Sequence, residues 1–246
     1  MEYVFDGRAK RLTFILMAVG LLSIVLGFFG GDHASQRVWT SILISGFFFF
    51  GVGLTGTFFL AIQYAAESGW PTVLKRIFEG VAAYLPIGSL ALILVFLAGT
   101  FHFHHIYHWM EADLYDPASP NYDELIAHKQ AYLNLPFWWI RTIAYLAVYI
   151  WFTMLFRKRS LMEDELTVDP KPFFIKNQTL AAVFLVFFGY TSVTASWDWI
   201  MSIDTHWFST IFGWYIFSGM WISGMVMMTL LVVYLKGKGL MEFVND

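Results

Sequence analysis

The sequence contains no cysteine and has few charged residues. The absence of cysteine among 246 residues excludes disulfides, thiolate-bound zinc, cysteine-ligated iron–sulfur clusters and c-type haem attachment. Charged residues make up 13% of the chain, whereas hydrophobic residues make up 58% and aromatic residues 20%. A soluble domain has about 25% charged residues, so this chain lacks the polar side chains that cover a water-facing surface. The composition therefore excludes a soluble globular domain and indicates an integral membrane protein.

Six apolar segments are long enough to cross a bilayer, since a spanning helix needs about 20 mostly apolar residues. They are residues 12–30, 39–65, 81–101, 137–156, 180–200 and 208–235. We therefore predict an all-α fold, a polytopic transmembrane helix bundle that forms a single membrane domain over residues 1–246.

The distribution of lysine and arginine predicts the orientation of this bundle, because these residues are retained on the cytoplasmic side. With the N-terminus inside, only Arg37, Lys129 and Arg141 fall on the outer side. We predict that both termini are cytoplasmic, with a long outer loop at 102–136 and an inner loop at 157–176. In this topology every histidine lies outside, together with many of the carboxylates. The histidines are His33, His102, His104, His105, His108, His128 and His206.

The first candidate site is the histidine-rich run 102–109, where the third span ends. If that helix continues, His104 and His108 are spaced i, i+4 and His105 and His108 are spaced i, i+3, so the rings share a face. Such imidazoles could relay protons or bind a metal, but nothing in the sequence makes them converge, so we predict no metal site. The alternative is a set of polar residues at the membrane interface.

The second candidate lies between the fifth and sixth spans, where Asp198, Asp204 and His206 occur within a few residues. An ionised acid near the end of a span is costly unless it is paired, which marks Asp198 as a functional candidate. A nearby carboxylate and imidazole can accept and pass on protons. The alternative is that these are polar loop residues, with Asp204 as the N-cap of the next helix.

The third candidate is Arg141, one turn inside the fourth span. It could extend to the outer interface, pair with Asp198 or bind a polar head group. No histidine lies inside a span, which argues against haem ligation by this chain. The span centres carry no charged residue, which argues against an ion or solute transporter.

Three stretches carry a resemblance to a known family. They are 128–141 (HKQAYLNLPFWWIR), the histidine run that ends at Trp109, and 196–213 (SWDWIMSIDTHWFSTIFG), of which the last is the most specific. Together they resemble the ActF-type subunits of bacterial alternative complex III, which belong to the polysulfide-reductase-type (NrfD-like) membrane subunits. Members of that family carry two four-helix bundles and further helices, so the resemblance implies that this chain lacks their C-terminal helices.

The resemblance implies a multi-pass subunit in the bacterial cytoplasmic (inner) membrane, within a respiratory quinol:electron-acceptor oxidoreductase complex. The implied partners are a second NrfD-like subunit, an iron–sulfur/molybdopterin-like subunit, c-type cytochromes and a terminal oxidase, with lipids around them and no nucleic acid. Haem c and iron–sulfur clusters would belong to those partners, with menaquinone or ubiquinone as the quinol and no cofactor bound by this chain.

Two functional hypotheses follow from the sequence. In the first, the chain anchors the complex and conducts protons or contacts quinone. Asp198, Asp204 and His206 are then the first proton acceptors, with His105 and His108 as an exit relay and Arg141 as an orienting cation. In the second, the chain is a structural scaffold whose outer loop, 102–136, docks the redox subunits. An ion or solute transporter is a third, disfavoured alternative.

Overall fold

A computed structural model describes residues 6–165, 171–241 and 244, apart from the side chain of Asp32, and is all-helical, with no strand among those residues. The helices are α1 (Gly7–Phe28), α2 (Asp32–Ala65), α3 (Lys75–Ala82), α4 (Leu85–Thr100), α5 (Glu124–His128), α6 (Leu135–Asp164), α7 (Lys171–Trp199) and α8 (Phe212–Gly237). The described residues form six helical segments long and apolar enough to cross a membrane. This confirms the predicted helical class and the predicted number of spans.

The third span is interrupted where α3 ends at Ala82 and α4 begins at Leu85. Pro86 lies in the first turn of α4, a position where its missing N–H costs no helical hydrogen bond. The two helices follow each other closely, and both pack against α2. The inner loop predicted at 157–176 is shorter in the structure, because α6 and α7 both extend into it. Residues 166–170 of that loop lie outside the described residues.

The core lies between α2, α4, α6 and α7 and is mainly aromatic. The ring of Trp199 packs against Phe50, Phe96 and Tyr145, and Trp138 packs edge-on against Phe96. Helix α8 covers one side of this core by packing on α2 and α7. Helix α1 packs along α2, and none of its residues, all of which the structure describes, is buried.

A close approach between α2 and α8 depends on Gly224. A Cβ atom at this position would lie 2.4 Å from side-chain carbons of Thr55 on α2. The missing side chain allows the Thr55 hydroxyl to donate to the carbonyl of Met220 on α8 at 3.0 Å. Small residues permit this kind of backbone approach between membrane helices.

The helical spacing considered for the histidine run required α4 to continue through it, and the structure does not meet that condition. The helix ends at Thr100, and His102 adopts a left-handed backbone conformation with a φ of 59°. The His102 amide then donates to the Gly99 carbonyl and the Phe103 amide to the Ala98 carbonyl. These are the two bonds of a Schellman motif, which turns the chain away from the helix axis. His104 and His108 therefore do not share a helix face.

Candidate functional site

The structure brings several of the predicted site residues to one end of the bundle. We call it the histidine end, and it comprises residues 101–134 and 200–211 together with the adjoining ends of α4, α6 and α7. Its centre is an ion pair between Arg141 on α6 and Asp198 on α7. Arg141 donates from Nε to Asp198 Oδ2 at 2.8 Å and from Nη2 to Asp198 Oδ1 at 2.7 Å. The two side chains are 9% and 0% exposed, so this bidentate pair is buried.

The remaining face of the guanidinium is held by the segment that precedes α6. Arg141 Nη1 donates to the Tyr132 carbonyl at 3.2 Å, and its Cζ atom lies 4.0 Å from the Tyr132 ring centre and 4.2 Å from that of Phe137. The Tyr132 hydroxyl also lies near the Asp198 carboxylate. Asn134 caps α6 by accepting from the Phe137 amide at 3.0 Å, which fixes where this segment enters the helix. The sequence left three alternatives open for Arg141: extension to the interface, pairing with Asp198 or binding of a head group. In the structure Arg141 pairs with Asp198.

The backbone at the end of α7 forms a second set of contacts. The Asp198 carbonyl accepts from Trp138 Nε1 at 2.9 Å and from the Ser202 hydroxyl at 2.6 Å. The Trp199 carbonyl accepts from the Tyr107 hydroxyl at 2.7 Å, and the indole of Trp199 donates to Thr142 at 3.1 Å. The segments 102–109, 128–141 and 196–213 therefore meet at the end of α7.

Asp204 and His206 lie apart from the buried pair. Both are exposed, and Asp204 Oδ1 accepts from the His206 amide at 3.2 Å. Asp204 is not the N-cap of the next helix, because α8 begins at Phe212 and its N-cap residue is Ile211. His206 Nε2 instead lies 2.7 Å from Asp123 Oδ2, in the loop before α5. Asp198, Asp204 and His206 are therefore not one cluster.

Asp123 connects two loops at the histidine end. Its carboxylate accepts from the Leu125 and Ile126 amides at 3.0 Å and so caps α5. The bond from the Ile126 amide, reinforced by His206, lowers the pKa of Asp123 below its usual value despite some desolvation. The carboxylate is therefore charged at neutral pH and faces the imidazole of His206. Sequence reasoning missed Asp123, because the partners are far apart in the chain.

Two other histidines share one carboxylate. His105 Nδ1 lies 2.8 Å from Glu111 Oε1, and His108 Nδ1 lies 3.8 Å from the same oxygen. Both histidines are exposed. Among the residues that the structure describes, no group of three or more histidine, cysteine, aspartate or glutamate side chains is arranged to hold a metal ion. The relay pair predicted from the sequence, His105 and His108, is thus adjacent, although the two residues do not lie on one helix.

His104 differs from its neighbours because it is only 2% exposed. Its Nε2 atom lies 2.9 Å from the Val95 carbonyl, and its Nδ1 atom accepts from the Ile106 amide at 3.3 Å. These partners require a neutral ring with its proton on Nε2. Burial lowers the pKa of His104, which is consistent with that neutral form. His104 therefore closes the loop against the end of α4.

A row of buried hydroxyl groups extends from the buried pair into the bundle. On α6, Tyr145, Tyr149 and Thr153 follow Arg141 at intervals of four residues, so they lie on one helix face. Tyr149 bonds to Thr191 at 2.7 Å, Thr153 bonds to Thr57 at 2.6 Å, and the Tyr145 hydroxyl lies near Thr194. We call these six hydroxyl residues the polar row. The i, i+4 spacing was visible in the sequence, but tyrosine and threonine do not stand out in an uncharged span.

The opposite end of the bundle has its own charged cluster. Lys75 bonds to Glu163 at 2.5 Å, and the Tyr64 hydroxyl donates to the same carboxylate at 3.4 Å. Arg76 pairs with Glu79 at 2.5 Å and also with Asp164. The bonds of Lys75 to Glu163 and of Arg76 to Asp164 join α3 to α6. The buried ring of Phe156, which stacks on Tyr64, lies on α6 between this cluster and the polar row.

Comparison of the sequence with models of protein families gives no match, and comparison with curated proteins gives none either.

Proposed function

We propose that this chain is an integral membrane subunit of a bacterial respiratory quinol-oxidising complex of the alternative complex III type. It anchors the redox subunits in the cytoplasmic membrane and passes protons at its histidine end, which we place on the outer side. Partner subunits carry the haem c and the iron–sulfur clusters, and menaquinol or ubiquinol is the electron donor.

The observation that carries this proposal is the convergence of the three stretches on which the family resemblance rests. They are separate in the sequence, yet all of them contact the end of α7 around the buried pair of Arg141 and Asp198. A segment that serves only as a water-exposed turn does not need such a network. The convergence supports a shared role for the three stretches at one end of the protein.

The arrangement of titratable groups supports a proton role for particular residues. Both Asp198 oxygens are occupied by Arg141, so we assign Asp198 and Arg141 to holding the loops in position. The exposed pairs of His206 with Asp123 and of His105 with Glu111 are placed to exchange protons with water, because an imidazole in contact with a carboxylate can accept a proton and pass it on. This proposal moves proton acceptance from Asp198 to these pairs.

The polar row supports proton movement deeper in the bundle. Thr191 and Thr153 also donate to the carbonyls of Phe187 and Tyr149, so Tyr149 donates to Thr191 and Thr57 donates to Thr153 as long as those bonds hold. The direction of each bond can reverse only when the threonine releases its carbonyl. Proton transfer along a hydroxyl chain requires this reversal. On α6 the polar row ends at Thr153. The next buried hydroxyl on that helix is Ser160, two helical turns further along, and the ring of Phe156 lies between them. Water would have to bridge that interval in a path across the whole membrane.

Tyr149→Phe tests the proton role, because it removes a hydroxyl and keeps the ring. In the purified complex reconstituted in vesicles, we expect quinol-driven proton release to fall while assembly is retained. Tyr190→Phe is the matched control, since Tyr190 lies on α7 and is 71% exposed. Equal proton release in both variants would refute conduction through the polar row. Isolation of the wild-type chain without any redox subunit would refute the proposal as a whole.

A purely structural scaffold is the second candidate, and one observation favours it. Loop 102–136 has its own buried apolar residues, Leu114, Ile126 and Leu133, and so presents a folded surface. The double substitution His105→Ala with His108→Ala separates the two functions, because both side chains are exposed. A scaffold predicts loss of the redox subunits on purification, whereas a proton relay predicts an intact complex with altered turnover.

A further inference from the structure

A large cavity lies between α2, α7 and α8. Its volume is about 890 Å³, within the range of roughly 300–1,000 Å³ that is typical of ligand pockets. It extends from Gln36 and Ile203 near the histidine end to Leu54 and Ser223, about halfway along the helices. Of the six residues of the polar row, all of which the structure describes, Tyr149 alone lines the cavity. None of the roles proposed above uses this space.

The wall of the cavity is suited to hydrocarbon. Among the described residues, those that line it include no charged side chain. The hydroxyls of Thr40, Ser196 and Ser218 each donate to a carbonyl of their own helix, at 2.9, 2.7 and 2.8 Å. A bound quinone ring needs hydrogen-bond donors placed toward its carbonyl oxygens. These three hydroxyls are already used. The side chains of Gln36, Ser192, Ser223 and Tyr215 also line the cavity, but most of the wall is apolar and matches an aliphatic chain.

The cavity is accessible from the surface of the bundle that faces the membrane. Ile44 on α2 and Tyr215 and Ile222 on α8 line it, and they are 64%, 72% and 63% exposed. The opening is therefore between α2 and α8, within spanning segments, where the surrounding fluid is lipid hydrocarbon. An apolar space left empty forfeits dispersion contacts on all of its walls. Acyl chains are the molecules available to restore those contacts.

We propose that this cavity binds one acyl chain of a membrane phospholipid, which enters between α2 and α8 and supports the contact of α8 with α2 and α7. The lipid is a structural ligand, and this role is independent of the proposed respiratory function.

Gly219 provides a direct test, because it lines the cavity and a Cβ atom there would meet no atom within 4 Å. A leucine at this position would project into open space and occupy the path of the acyl chain. Gly189 on α7 is the matched control: it is helical and exposed, a Cβ atom there also meets nothing within 4 Å, and it does not line the cavity. Both variants should fold, since a Cβ atom meets no obstacle at either position.

The full chain is extracted in a mild detergent and its retained lipid is measured by native mass spectrometry and by lipid quantification. We expect about one phospholipid per chain in the wild type and in Gly189→Leu. In Gly219→Leu we expect a retention at least about tenfold weaker, which corresponds to ~1.4 kcal/mol. Equal retention in both variants, or no phospholipid in the wild type, would overturn the proposal.

A second measurement uses the unaltered protein in vesicles that contain a phospholipid with a diazirine near the middle of one acyl chain. Irradiation should label peptides of α2 and α8 that line the cavity, and excess unlabelled phospholipid should reduce that labelling. Labelling spread evenly over α1 and the outer faces of the bundle would contradict a specific site. Recovery of a quinone, or of a partner helix cross-linked at this position, would assign the cavity to another occupant and overturn the proposal.

Discussion

Separating Arg141 from Asp198 should be among the most damaging changes in the protein. Arg141 donates hydrogen bonds of 2.7 and 2.8 Å to the Asp198 carboxylate, and both side chains are buried. Removing one partner from such a pair costs about 3–5 kcal/mol, because the other charge stays buried without its partner. We therefore expect Asp198→Asn and Arg141→Gln each to destabilise the bundle by about this amount. The double variant removes both charges and should cost clearly less than the sum.

A double-mutant cycle on unfolding in detergent micelles or bicelles measures this effect. We expect a coupling energy of roughly 2–3 kcal/mol. This is the upper part of the range that is usual for residues in direct contact. Neutral hydrogen bonds between membrane helices average only about 0.6 kcal/mol, so a coupling near that value would show that the charges add little. Additivity within about 0.5 kcal/mol would refute the assignment of this pair as the link between α6 and α7.

Three further changes test other contacts at the same end and at the α8 interface. The pKa of His104 is lowered by burial, so the wild type should lose stability as the pH falls below about 6.5, and thermal unfolding of His104→Gln should depend less on pH in that range. Gly224→Ala should lower stability by about 1–3 kcal/mol in the same assay, because its methyl group collides with Thr55. Asp123→Asn keeps an N-cap acceptor for α5 but loses the charge that faces His206, whereas Asp123→Ala loses both. Amide hydrogen exchange in α5 should therefore rise more in the alanine variant, and equal exchange would contradict the capping role.

The spans were predictable from the sequence because hydropathy is a local property. Each predicted segment coincides with a helix or, for the third span, with the pair α3 and α4. The histidine run lacks the helical spacing of its side chains for an equally local reason. The helix ends because His102 takes a left-handed conformation that few residues other than glycine favour, and nothing in the sequence marks a histidine for that role.

The site was only partly predictable, for reasons of distance and of residue type. Arg141 and Asp198 were recognisable because charge near a span end demands a partner. The contact of Asp123 with His206 joins two loops whose meeting depends on the whole fold. The polar row went unrecognised because each of its hydroxyls is unremarkable alone, and its meaning comes from the alignment of α6 with α2 and α7.

The stripe of polar side chains on α6 also fixes how that helix is turned about its own axis. Rotation by one residue position would move Arg141, Tyr145 and Tyr149 out of reach of their partners and leave buried polar atoms without hydrogen bonds. Helix α1 has no buried residue among those described, and apolar packing sets its rotation instead. A Cβ atom at Gly27 would collide with Val38 on α2, and Phe28 packs edge-on against Trp39. Since the Trp39 ring also lies against His104, turning α1 about its axis would reach the histidine end.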